Sequence, residues 1–142
     1  MASRRIGAIG EILVSQWCES IGLSVSRTGD SDADRFIAGI RVEIKFSTLW
    51  TDTGIYKFQQ IRDQDYEFCF CLGVSPDEVG AWFIPKSVLM INRPPDLVPQ
   101  HGGSGGVDTK WLSFKASSPP AWLEPYGGTL EDVSGLIERA QR

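Results

Sequence analysis

Asp34-Arg35-Phe36-Ile37-Ala38-Gly39-Ile40-Arg41-Val42-Glu43-Ile44-Lys45 fixes the architecture. From Ile40 to Lys45 apolar and polar residues alternate strictly. In a strand this sends Ile40, Val42 and Ile44 to the core face and Arg41, Glu43 and Lys45 to the other. A second short strand, 33–37, precedes it and leads into Ala38-Gly39. A two-residue hairpin loop there sets the register by counting. Ile37 meets Ile40, Phe36 meets Arg41, Arg35 meets Val42, Asp34 meets Glu43, and Asp32 lies opposite Lys45. Directly paired residues share a face with Cβ atoms about 5 Å apart, so Asp34, Glu43 and Lys45 cluster. Ala38 is not ideal as the first residue of a primed turn, and a glycine bulge with a one-residue slip is the competing register.

Upstream of this hairpin, residues 6–21 read as a helix with Ile6, Ile9, Leu13, Trp17 and Ile21 as its apolar stripe and Gly22 as its stop. Residues 23–26 alternate like a strand, and the polar stretch 28–32 is a turn by its chemistry. Downstream, 47–56 reads as a loop and 57–64 as a short helix. Residues 67–74 (EFCFCLGV) read as a central strand, 81–84 as another, and 86–91 as the start of a helix. Residues 93–106 hold Pro94, Pro95, Pro99 and a glycine-rich run, the composition of a linker. Trp111, Leu112 and Phe114 form a short strand or docking segment. Residues 129–140 form a helix capped by Thr129, with Asp132 three residues on. The expectation is an α/β core over 1–92 and an appendage over 93–142 that docks on it.

Two ionised carboxylates placed as Asp34 and Glu43 repel by about 4 kcal/mol at an effective dielectric of 20. A proton, a neighbouring cation such as Lys45 or Arg41, or a divalent metal ion offsets this. Hard oxygen donors with open water positions suit Mg²⁺ or Mn²⁺. Such an ion polarises a phosphodiester and acidifies a bound water, while Lys45 orients that water or stabilises developing charge. The reaction class read from these residues is metal-assisted phosphodiester hydrolysis.

Asp34, eight intervening residues and then Glu43-Ile44-Lys45 resemble the signature of the PD-(D/E)XK nuclease superfamily. The resemblance covers roughly residues 6–90. Gly7-Ala8-Ile9-Gly10-Glu11 looks like the first-helix element of several members, with Glu11 as a third acid. Gln59, Gln60 and Arg62 match the glutamine or basic residue that members place on the helix after the lysine strand, with Gln60 as the candidate catalytic residue. Ala33 stands where the family name has proline. The resemblance implies a restriction-endonuclease-like three-layer core with a central mixed β-sheet flanked by helices, and an Mg²⁺-dependent endonuclease acting on DNA. Glu11, Asp34, Glu43 and the Ile44 carbonyl would bind metal, and Lys45 and Gln60 would complete the catalytic set. Arg41, Lys57, Arg62 and Trp50 are candidate nucleic-acid contacts. A homodimer would present two sites to two strands. The competing expectation is a catalytically weak or silent module of the same fold that binds nucleic acid or a protein partner.

The chain has 142 residues and a net charge of −4, which counts against a protein that coats nucleic acid by bulk charge. Nuclease chemistry remains open, because metal-holding carboxylates add negative charge and phosphate contact needs only a local basic patch. The three cysteines, Cys18, Cys69 and Cys71, form no CxxC pair and are odd in number, so they read as small buried residues. No apolar run reaches the length of a membrane span, and Met1–Arg5 lacks the apolar core of a signal peptide, so a cytoplasmic protein is expected. The glycine run 102–106 lacks the lysine and the following helix of a phosphate loop. His101, in the same stretch, lacks the rigid setting a general base needs.

Overall fold

Helix α1 (Ser3–Ser20) lies across one face of a six-stranded sheet. The structure, a computed structural model, describes residues 3–29, 33–99 and 109–141. The readings of Asp32, His101 and glycines 102–106 fall outside these. The sheet runs in the order β1 (Val25–Arg27), β2 (Arg35–Ile37), β3 (Ile40–Thr48), β5 (Phe68–Val74), β6 (Val79–Pro85), β9 (Gly127–Gly128). All pairings are antiparallel except β3 with β5, so the central sheet is mixed, as expected.

The buried face of α1 is only in part the stripe expected from its large apolar residues, of which Trp17 packs edge-to-face on Phe70 at 5.6 Å between ring centroids. Leu13 and Ile21 are exposed, and Gly10, Val14 and Cys18, four residues apart, are buried instead. A Cβ on Gly10 would stand 2.5 Å from the Cβ of Phe46. Its bare backbone lets the helix approach β3 closely. Val14 and Cys18 pack with Val42, Ile44, Phe70 and Leu72 of the sheet.

The opposite face of the sheet is covered as well, by β4 (Ile55–Ile61), β8 (Lys110–Lys115) and β7 (Leu97–Pro99), which form a second antiparallel sheet in that order. Segment 57–64, expected as a helix, is therefore mostly strand, and the loop expected over 47–56 is shorter, because β3 continues to Thr48 and β4 begins at Ile55. Tyr56, Phe58, Trp82 and Phe114 join the layers through tilted and edge-to-face ring contacts at 5.0–6.4 Å between centroids. Cys69 and Cys71, buried and free, point into this layer, and Cys18 is buried and free under α1.

Residues 110–140 complete both layers. β8 is the hydrogen-bonded partner of β4, and α2 (Leu130–Ala140) buries Val133 and Ile137 against the same face of the central sheet as α1. Thr129 and Asp132 form the reciprocal cap expected of them: the Thr129 hydroxyl accepts from Asp132 N–H, and the Asp132 carboxylate accepts from Thr129 N–H. Residues 86–91 give a short helical turn, Val88–Asn92. Among the described residues no helix is long and apolar enough to cross a membrane.

Candidate active site

The turn at Ala38-Gly39 forms as a two-residue loop. Both residues have positive φ, 51° and 80°, the geometry of a primed turn, and alanine accepts it despite its Cβ. The register follows the count for Ile37 with Ile40, Phe36 with Arg41 and Arg35 with Val42. There the ladder ends. The Asp34 N–H also bonds to the Val42 carbonyl at 3.0 Å, so Asp34 and Arg35 both stand opposite Val42, as at a bulge. Asp34 is therefore not the strand partner of Glu43. Its carboxylate reaches forward instead, and Oδ2 accepts the Ile44 N–H at 2.7 Å.

This bend leaves a free strand edge above Asp34. Odd-numbered residues of β3 bond toward β5: the Arg41 carbonyl accepts from Glu67, and Leu49 N–H bonds to the Val74 carbonyl. Even-numbered residues bond toward β2, as Val42 does. The Ile44 N–H points that way, and the carbonyl of one strand residue lies along the same edge as its N–H. The Ile44 carbonyl therefore faces out past the end of β2, beside the Asp34 carboxylate.

Glu43 projects from the other face of β3 and is only 7% exposed. Burial pushes its carboxyl up to about 8; Lys45 opposes the rise and a hydrogen bond to Asp34 adds to it. Lys45 Nζ stands 3.4 Å from Glu43 Oε2. Asp34, Glu43 and Lys45 are thus brought together. Glu11 arrives from α1 and pairs with Arg35, Nη1 to Oε1 at 2.9 Å. Burial raises the Glu11 carboxyl, Asp34 raises it further, and Arg35 lowers it. Glu11 and Asp34 line one hollow of about 510 Å³ with Arg27, Thr28 and Arg35.

A second hollow, about 160 Å³, follows the free edge and is lined in part by Lys45, Ser47, Trp50, Lys57, Gln59 and Gln60. Gln60 reaches it from a strand rather than from a helix. Its φ is +58°, and the pairing of β4 with β8 shifts between Phe58 and Ile61. An extra residue there turns the Gln60 side chain toward the groove. Of the other candidates, Lys57 and the 41%-exposed Trp50 line the groove, whereas Arg41 and Arg62 do not. Arg41 packs over Phe36 and is held by Asp65 through its Nε and Nη2. Arg62 has a buried Nε, and its carbonyl accepts from the Tyr66 hydroxyl.

Arg35 was not among the expected site residues. The hairpin count places it opposite Val42, on the face toward α1, where an arginine calls for a carboxylate. Ser47 was also missed: buried, it accepts the Lys57 N–H at 2.9 Å and ties β4 to β3.

Asp34, Glu43 and the Ile44 carbonyl present hard oxygen donors at one place and fit a divalent cation such as Mg²⁺. Among the described residues no three His, Cys, Asp or Glu side chains converge as a metal-holding group. Glu11 stays outside such a set while Arg35 holds it.

By sequence the chain matches no family model and no curated protein. Among solved structures it resembles a bacterial homing endonuclease, I-Ssp6803I. The TM-score is 0.64, over 99% of this chain and 94% of that one, at 16% sequence identity. The likeness is one of fold, and it extends through the C-terminal third.

Proposed function

We propose that this protein is a metal-dependent endonuclease that hydrolyses phosphodiester bonds in DNA. One observation carries the reading. The Asp34 carboxylate, the buried Glu43, the outward Ile44 carbonyl and the Lys45 ammonium meet where β2 ends and β3 presents a free edge. The likeness in fold to a homing endonuclease supports DNA as the substrate. The same constellation underlies the resemblance to the PD-(D/E)XK superfamily.

Mg²⁺, or Mn²⁺, is the cofactor these donors suit, and when bound it supplies Lewis-acid activation of the phosphate and of a water. Asp34, Glu43 and the Ile44 carbonyl would hold it, and Glu11 would join them once its pairing with Arg35 is released. Lys45 orients the attacking water and counters charge that develops on the phosphorane oxygens. Gln60 lines the path by which that water enters. A homodimer would set two such sites against the two strands of a duplex.

The test is incubation with plasmid DNA and Mg²⁺. The wild-type chain converts supercoiled plasmid to nicked or linear forms, and Lys45→Ala does not. Clean cleavage that survives Lys45→Ala unchanged would overturn the assignment. A second reading, a silent module that binds nucleic acid or a protein partner, is favoured by the lack of three converging metal-ligating side chains among the described residues. It predicts binding without cleavage under any divalent ion.

A further inference from the structure

We infer that the outer face of the β4–β8 pair reads sequence in the major groove of duplex DNA, with Lys57 and Gln59 at base edges and Lys115 on a flanking phosphate. The substrate comes from the nuclease reading above; the surface and its test stand separately.

The inner face of this pair is committed to the core through Tyr56, Phe58, Leu112 and Phe114. Alternation then turns Ile55, Lys57 and Gln59 outward on β4, and Trp111, Ser113 and Lys115 on β8. The register places Lys57 beside Ser113 and Ile55 beside Lys115. Among the described residues β7 pairs with Lys110 to Leu112 and the Asp96 carbonyl accepts from Ser113 N–H, so β8 runs past that strand at Phe114 and Lys115, while β4 is tied on its other edge to Ser47 and Trp50. Strands lie about 4.8 Å apart, so the outer face of the β4–β8 pair is narrower than a B-form major groove about 12 Å wide, and its outward side chains can reach into one. The deep, narrow major groove of an RNA duplex does not admit them.

The chemistry of the face agrees with that partner. The outward residues of β4 and β8 include two lysines, Lys57 and Lys115, and no carboxylate, in a chain whose net charge is −4. The Lys57 ammonium stands 3.3 Å from the Trp111 ring centroid and 4.9 Å from that of Trp50. Rings on two sides hold a long side chain in one direction and lower the entropy lost when it binds. Gln59 is exposed and next to it on the same face. Residues on one face of a strand recur every 6.8 Å or so, about two base-pair steps of 3.4 Å. Glutamine pairs with the N6/N7 edge of adenine and lysine with the O6/N7 edge of guanine. The hollow that holds Lys45 also holds Lys57 and Gln59, so a duplex seated on this face passes its backbone over Lys45.

The experiment is binding selection from a pool of randomised DNA duplexes in EDTA, using wild type, Gln59→Ala, Lys57→Met and Lys115→Ala, with Mg²⁺-dependent plasmid cleavage run in parallel. Wild type enriches a defined sequence. Gln59→Ala and Lys57→Met each relax the preference at one position by about 5- to 150-fold and leave the others intact. Lys115→Ala weakens binding to all sequences alike and lowers the salt slope by about one. Unchanged melting temperatures, to within a few degrees, show that the variants are folded. Enrichment that is identical in all variants, no enrichment by wild type, or equal binding of duplex RNA overturns the inference. Enrichment that depends on Gln59 without cleavage supports the surface and removes the nuclease reading. Cleavage with a preference indifferent to this face does the reverse.

Discussion

Glu43 is a carboxyl buried at the end of a hydrogen-bonded hairpin, beside a second acid and a single ammonium. Its folded-state affinity for a proton, about 8 against 4.5 ordinarily, exceeds that of the unfolded chain. Between these values the folded state binds more protons, so its stability falls as pH rises from about 4.5 to 8 and levels above that. Glu43→Gln should flatten this slope in urea melts taken at successive pH values; a slope that persists would assign it to other groups. Gln60 supplies a second test. A glutamine at φ +58° costs about 1–2 kcal/mol that glycine does not pay. Gln60→Gly should therefore keep or raise stability by up to about 1 kcal/mol. It should also lower cleavage by about 10- to 100-fold through loss of the side chain in the groove. Equal activity would mean that the left-handed residue serves only the bulge.

The hairpin and helix α1 meet through one bare backbone, at Gly10 over Phe46. Gly10→Val should destabilise the protein by about 1–3 kcal/mol by overpacking, read as a lower denaturation midpoint. It should also move Glu11 away from Arg35. The elements the sequence discloses are those whose signals are local. The hairpin register could be counted through Ala38-Gly39, and α2 carried its cap in Thr129 and Asp132. β4 hid because its bulge breaks the alternation: Tyr56 and Phe58 keep period two, but Ile61 follows Phe58 by three, which imitates a helix. The face of α1 was legible in Trp17, which packs on Phe70, but its fully buried contacts are made by Gly10, Val14 and Cys18 rather than by Leu13 and Ile21. Asp34 was legible as a partner of Glu43 in kind but not in manner, since a bulge at Asp34-Arg35 turns a strand pair into a side-chain contact.

Across the molecule, Glu11, Asp34 and Glu43 gather at the end of β2 and further acids lie along α2, while Lys57 and Lys115 stand on the outer face of the β4–β8 pair, so a net charge of −4 coexists with a locally basic face. The C-terminal third belongs to this arrangement: without it β4 loses β8, and the sheet loses the cover of Val133 and Ile137. A chain ended at residue 92 should show no cooperative melting transition; a sharp transition would mean that residues 3–92 fold alone. The site as a whole is tested by titrating Mg²⁺ or Mn²⁺ against the melting temperature of wild type, Asp34→Asn and Glu43→Gln. A cation held by Asp34, Glu43 and the Ile44 carbonyl stabilises wild type by about 2.7 kcal/mol at a hundredfold excess over Kd. Both variants should lose that stabilisation while remaining folded. The same rise in Asp34→Asn as in wild type would contradict a metal site at the end of β2.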